Sequence, residues 1–135
     1  MSNSPAIGQH VLLDLYNCHE DLRDSKFVEE ALIEAANKAG ATIVSHHFHK
    51  FSPCGVSGVV IIQESHLTIH TWPEHSFASV DIYTCGEEMN FESAVNYLKH
   101  KFASDKIVLK HFERGNHLIS SKTKLASSVN AFFKN

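Results

Sequence analysis

Residues 63–74 read QESHLTIHTWPE, placing Ser65, His66 and His70 between Glu64 and Glu74 beside the chain's one tryptophan, Trp72. Such side chains can serve as nucleophile, proton acceptor or metal ligand. The apolar run VVII at 59–62 leads straight into them, so the cluster follows a strand that reads as buried on both faces.

Spacing argues against a metal. His66 and His70 are four apart, which on a helix would align them, but HLTIHTW alternates polar and apolar and carries Thr and Ile, residues that favour strand. In a strand His66, Thr68, His70 and Trp72 share one face, with His66 and His70 about 13 Å apart. In the other histidine cluster only His47 and His49 share a face; His46 points the other way. Without a CxxC pair among Cys18, Cys54 and Cys85, a thiolate zinc knuckle has no ligands.

Serine–histidine chemistry is no more direct. Ser65 lies outside a G-x-S-x-G elbow. Ser65 and His70 have opposite parity, so a regular strand sets them on opposite faces. Unless the chain turns at Ser65, the residues alone describe a polar pair at a strand end. Cys85, before Gly86, is either a buried apolar filler or an acid or nucleophile where a strand end opens into a pocket.

The elements that must position these groups follow from periodicity. Strands are expected over 8–16, 41–51, 56–64, 66–72, 77–85 and 105–115, and helices over 25–40 and 90–103. Ser25 is the expected N-cap of the first helix and Gly40 its stop. In the second, Phe91, Val95, Leu98 and Phe102 form one stripe. The order β-α-β-β-β-β-α-β implies an α+β two-layer sandwich, a mainly antiparallel sheet with two helices on one face. Val59–Ile62 is apolar at both parities, and Ile82 and Tyr83 are adjacent. A second copy of the sheet is the simplest cover for the other face, giving a homodimer with four αββα layers.

Composition agrees with one globular domain over 1–135: 43% hydrophobic, 20% charged, net charge −3. That charge favours neither nucleic acid nor an anionic membrane as partner. With short apolar runs and a start unlike a signal peptide, the expected location is cytoplasmic. The segment after about residue 116 reads as a loose tail whose Phe132-Phe133 pair has the makings of a docking element.

The stretch 51–86, FSPCGVSGVVIIQESHLTIHTWPEHSFASVDIYTCG, resembles the core of the small prokaryotic S-adenosylmethionine decarboxylases, with GQHVLLDLY near the start and ERG near 115 adding to the likeness. The resemblance implies a proenzyme that cuts itself at Glu64–Ser65 into a β chain, 1–64, and an α chain, 65–135. Ser65 would attack the preceding carbonyl, the amide would become an ester, and β-elimination would leave a pyruvoyl group at position 65. Such a ketone condenses with the substrate amine, and the resulting imine takes up the electrons of the departing carboxylate. The resemblance makes His70 the acceptor of the elimination proton and Ser57 an assistant in processing. It makes Cys85 the acid that protonates the α-carbon, a task suited to a thiol with a pKa of about 8.5. Phe51 and Trp72 match rings beside the substrate, able to stack on adenine and to face a sulfonium. Glu74 matches a carboxylate for ribose hydroxyls.

Asp14 stands in LLDLYN where the family is expected to have Glu, and NCHED departs from the family's glycine-cysteine-aspartate. Since the resemblance sets these positions beside the substrate, ornithine or arginine is the alternative substrate, and a non-catalytic unprocessed relative the alternative class. Phe51 and Trp72 favour S-adenosylmethionine, because the alternatives carry neither adenine nor sulfonium.

Overall fold

The computed structural model describes residues 7–85 and 89–115. The elements run β1 (Gly8–Cys18), α1 (Ser25–Lys38), β2 (Ile43–Lys50), β3 (Val56–Ile62), β4 (Ser65–Trp72), a 3-10 turn (Pro73–His75), β5 (Phe77–Thr84), α2 (Phe91–Lys101) and β6 (Ser104–Arg114). The six strands form one sheet in the order β2-β3-β4-β5-β1-β6, and every pairing is antiparallel. This is the expected α+β sandwich. The tail and its Phe132-Phe133 pair lie outside the described residues.

Alternation decides which face each strand residue takes. Val11, Leu13 and Leu15 of β1, Val56, Val60 and Ile62 of β3, Leu67 and Ile69 of β4, and Ala78, Val80 and Ile82 of β5 are buried. They pack beneath Val28, Ala31, Leu32 and Ala35 of α1 and Ala94, Val95 and Leu98 of α2. α1 lies against β2, β3 and β4, and α2 against β1 and β6. On β2 the Phe48 ring lies over Gly58, where a Cβ would fall 2.0 Å from it; only glycine leaves room.

The local ends differ from expectation in instructive ways. Asp24, not Ser25, caps α1: its carboxylate accepts from the amides of Lys26 and Phe27 at 3.1 Å each. One carboxylate oxygen accepts from both orphan amides, and its charge complements the helix dipole, leaving Ser25 as the first helical residue. Gly40 stops the helix as expected, at φ 83°. The third strand ends at Ile62 rather than 64. Gln63 and Glu64 form a two-residue hairpin loop, with Glu64 in the left-handed region at φ 60°. Ser65 is therefore not the turn itself. It opens β4, paired with Ile62.

Candidate active site

The sheet face opposite the helices carries the predicted site residues in cross-strand rows. Ser57, His70, Ser79 and Asp14 stand in successive register positions across β3, β4, β5 and β1. Ile61, His66, Tyr83 and His10 form a second row nearer Ser65. Asp14 thus sits two strands from His70, about 10 Å away.

Ser65 and Cys85 lie together at one end of the sheet: Cys85 continues the open-face parity of Tyr83, whereas Ser65, paired with Ile62, has the parity of the buried Leu67. The Ser65 hydroxyl donates to the Glu64 carbonyl oxygen at 2.5 Å, and the Cys85 amide donates to Ser65 Oγ at 3.0 Å. The hydroxyl is thus held beside the carbonyl of the preceding peptide bond. Cys85 is exposed, which rules out the filler reading. Cys18 is the filler instead: it is buried, and burial pushes its thiol up to about 11.

The other end holds a second group. Ser57 Oγ is in a short hydrogen bond with His70 Nδ1. Aromatic rings flank that histidine: Phe51 at 5.9 Å and Trp72 at 4.2 Å between centroids. The ring series continues from Trp72 to Phe77 at 5.4 Å and from Phe77 to Tyr16 at 4.9 Å. Thr71 anchors this end on the buried side. Its hydroxyl donates to the Leu22 carbonyl and accepts from the Val56 amide, both at 2.9 Å, so the residues either side of it, His70 and Trp72, are fixed in orientation. Glu74, in the 3-10 turn, borders a 660 Å³ cleft shared with Arg23, Cys54 and Pro73, with Cys54 Sγ 3.8 Å from its carboxylate.

The two groups do not meet within one chain. Five residues of extended strand separate Ser65 from His70, about 17 Å. The parity argument holds as well: Leu67, Ile69 and Thr71 are buried under the helices, so His70 projects from the opposite side.

Between the two ends lies a polar network that sequence reasoning missed. Thr68 donates to Asp81 at 3.1 Å, and His66 stacks on Tyr83 at 5.5 Å. His10 meets the Tyr83 ring edge-on at 5.5 Å, and Arg114 stands 5.8 Å over that ring. Among the described residues, His10 Nε2 is a buried nitrogen without a hydrogen-bond partner; the nearest acceptor charge, Asp81, is 4.0 Å away. Its signal in the sequence was the alternation of His66, Thr68 and His70 in β4 and of Ser79, Asp81 and Tyr83 in β5, the pattern of a face with its own chemistry.

Burial holds the His10 pKa below its ordinary value; Asp81 opposes this, while Arg114 and His66 add to it. A lowered folded-state pKa means the unfolded chain binds more protons below about pH 6.5, so stability falls as pH drops through that value. His10→Gln is therefore expected to lose less stability than the parent between pH 7 and pH 5, measured by urea unfolding at each pH. Equal losses in both proteins would overturn the assignment.

Comparison with known proteins places these residues in context. The family model for S-adenosylmethionine decarboxylase matches residues 9–115. The S-adenosylmethionine decarboxylase proenzyme of Moorella thermoacetica is 53% identical over 111 residues, covering 82% of this chain and 89% of its own. That of Thermodesulfovibrio yellowstonii is 54% identical over 98 residues, 72% of this chain and 73% of its own. The crystal structure of the adenosylmethionine decarboxylase from Aquifex aeolicus superposes with a TM-score of 0.75 at 34% identity, covering 90% of this chain and all of that one. The match spans the whole described sheet, both helices and both groups of site residues, and the chain belongs to the S-adenosylmethionine decarboxylase family.

Proposed function

We propose that this chain is a self-processing decarboxylase of S-adenosylmethionine, a carboxy-lyase supplying the aminopropyl donor for polyamine (spermidine) synthesis. The observation that carries the reading is the Ser65 hydroxyl held between the Glu64 carbonyl and the Cys85 amide. In cleavage Oγ adds to the Glu64 carbonyl carbon, its proton passes to the Ser65 nitrogen, the C–N bond breaks, and the acyl group moves from nitrogen to oxygen. Loss of the Ser65 α-proton then expels the Glu64 carboxylate and leaves a dehydroalanine, which hydrolyses to the pyruvoyl group and ammonia. The products are 1–64 and 65–135 within the one domain. Glu64 adds a push, since a non-glycine residue at φ 60° costs about 1 kcal/mol that a free C-terminus does not retain.

Position 65 fits a pyruvoyl group because it already lies at a strand end beside the exposed Cys85. The group supplies a ketone able to condense with the substrate amine and accept electrons as carbon dioxide leaves. Cys85 then delivers a proton to the α-carbon. Phe51 and Trp72 stack on adenine and face the sulfonium, Glu74 holds ribose hydroxyls, and Asp14 lines the substrate side of the His70 row.

The two groups, at opposite ends of the sheet, work together in a homodimer. Stack two sheets face to face about a two-fold axis that lies between them and crosses the strands. The Ser65–Cys85 end of one chain then lies over the Ser57–His70–Phe51–Trp72 end of its partner. This brings Ser65 of one chain and His70 of the other to the same end of the interface, so that His70 takes the elimination proton across it once the Ser65 end opens toward that face. It also covers Ile61, 44% exposed in the monomer, and makes the four-layer αββα arrangement. Among the described residues no helix is long and apolar enough to cross a membrane, in keeping with a cytoplasmic enzyme.

Carbon dioxide release measured with S-adenosylmethionine, ornithine and arginine side by side tests the substrate. Release from S-adenosylmethionine alone is expected; preference for ornithine or arginine would assign a different decarboxylase, and an intact, inert chain a non-catalytic relative. Cys85→Ala is expected to cleave yet release carbon dioxide about 100-fold more slowly, in the usual range for losing a general acid. Full turnover in that variant would remove Cys85 from the proton-donor role.

A further inference from the structure

The helix layer leaves an apolar groove open at one edge of the sheet. Between α2 and β6 it has a volume of 400 Å³ and is lined by Val11, Phe91, Val95, Ile107 and Leu109, with Glu92 beside it. Leu109 pairs with the fully buried Leu13 and so faces the helix side, yet it is 51% exposed. A leucine on a core-facing row left half in water marks a place where the cover is short by one element.

The chain itself carries a segment of the right chemistry. β6 ends at Arg114, at this edge, and residues 116–135, NHLISSKTKLASSVNAFFKN, follow it beyond the family match. Leu125, Val129, Phe132 and Phe133 recur at i, i+4, i+7 and i+8, the spacing that gathers side chains on one face of a helix. The segment has three lysines, Lys122, Lys124 and Lys134, and no acidic residue, within a chain of net charge −3; the groove offers Glu92. Reach is sufficient. Residues 115–125 can span about 33 Å, whereas the way back along β6 to Leu109 is about 20 Å. A direct tether also raises the local concentration of the segment to the order of millimolar.

We propose that the C-terminal segment seats its Leu125–Val129–Phe132–Phe133 stripe in the α2/β6 groove of its own chain, as a third cover on the helix side of the sheet. The site is remote from Ser65, Cys85 and His70 and does not depend on the decarboxylase reading.

Replacing Phe133 by p-benzoylphenylalanine in the full-length protein and irradiating it tests this directly. Crosslinks within one chain to residues 91–96 or 107–111 are expected. Crosslinks joining two chains would give the groove to a second copy, and crosslinks elsewhere or none would also overturn the proposal. A mutant cycle supplies an independent measure. Leu109→Ser and the Phe132→Ser/Phe133→Ser pair should each lower Tm by about 4 °C. Combined, they should lower it by clearly less than the sum, because both remove the same contact. Fully additive losses, or no loss from the phenylalanine pair, would sink the idea.

Discussion

Ser65→Ala is expected to leave the chain whole, with denaturing mass spectrometry showing one species in place of fragments ending at Glu64 and beginning with pyruvoyl. The effect is all or none because the hydroxyl oxygen is the atom that forms the new bond. No other side chain is held by hydrogen bonds against the Glu64 carbonyl among the described residues. Stability should change little, since Ser65 is only partly buried and its hydroxyl accepts one hydrogen bond, from the Cys85 amide. Decarboxylation should vanish with cleavage, as no ketone forms. Fragments from Ser65→Ala with the parent's cut site would mean that another nucleophile does the work, and the processing scheme would fail.

Co-expression of Ser65→Ala with His70→Ala should restore cleavage that neither variant shows alone. In a mixed dimer one site receives both defects, while the other combines intact Ser65 from the His70→Ala chain with intact His70 from the Ser65→Ala chain. With random pairing about half of the His70→Ala chains should be cut, and none of the Ser65→Ala chains. If Ser65 and His70 acted within one chain, mixing would restore nothing. The experiment therefore distinguishes a site shared across the two-fold axis from a local rearrangement of β4 that swings Ser65 toward His70. The 17 Å of strand between them and the Ser57 hydrogen bond that occupies His70 Nδ1 favour the shared site.

Much of the fold could be read from periodicity because each element carries its pattern locally. The alternation of HLTIHTW named Leu67, Ile69 and Thr71 as one face and His66, Thr68, His70 and Trp72 as the other, and the burial of the first set agrees. The α2 stripe was legible for the same reason. Element ends were less so. Asp24 and Ser25 are both good caps by type, and only the path of the chain entering α1 selects Asp24. Gln63 and Glu64 extend an apolar strand by pattern, but the pairing of Ile62 with Ser65 makes them the hairpin loop.

From residues and spacing alone came the six strands and two helices, the parity conflict between Ser65 and His70, and, through a long and specific motif, the family. Those features depend on neighbours in the chain, or on residue types that the chemistry cannot replace. Folding settled the questions that depend on register. It put the Cys85 amide on the Ser65 hydroxyl, twenty positions away in the chain, and aligned Ser57, His70, Ser79 and Asp14 in one row. It also gathered His10, His66, Tyr83 and Asp81 between the two ends of the face. Contacts of that kind arise from hydrogen-bonded strands brought side by side from distant parts of the chain, and local pattern carries no information about which strands will be neighbours.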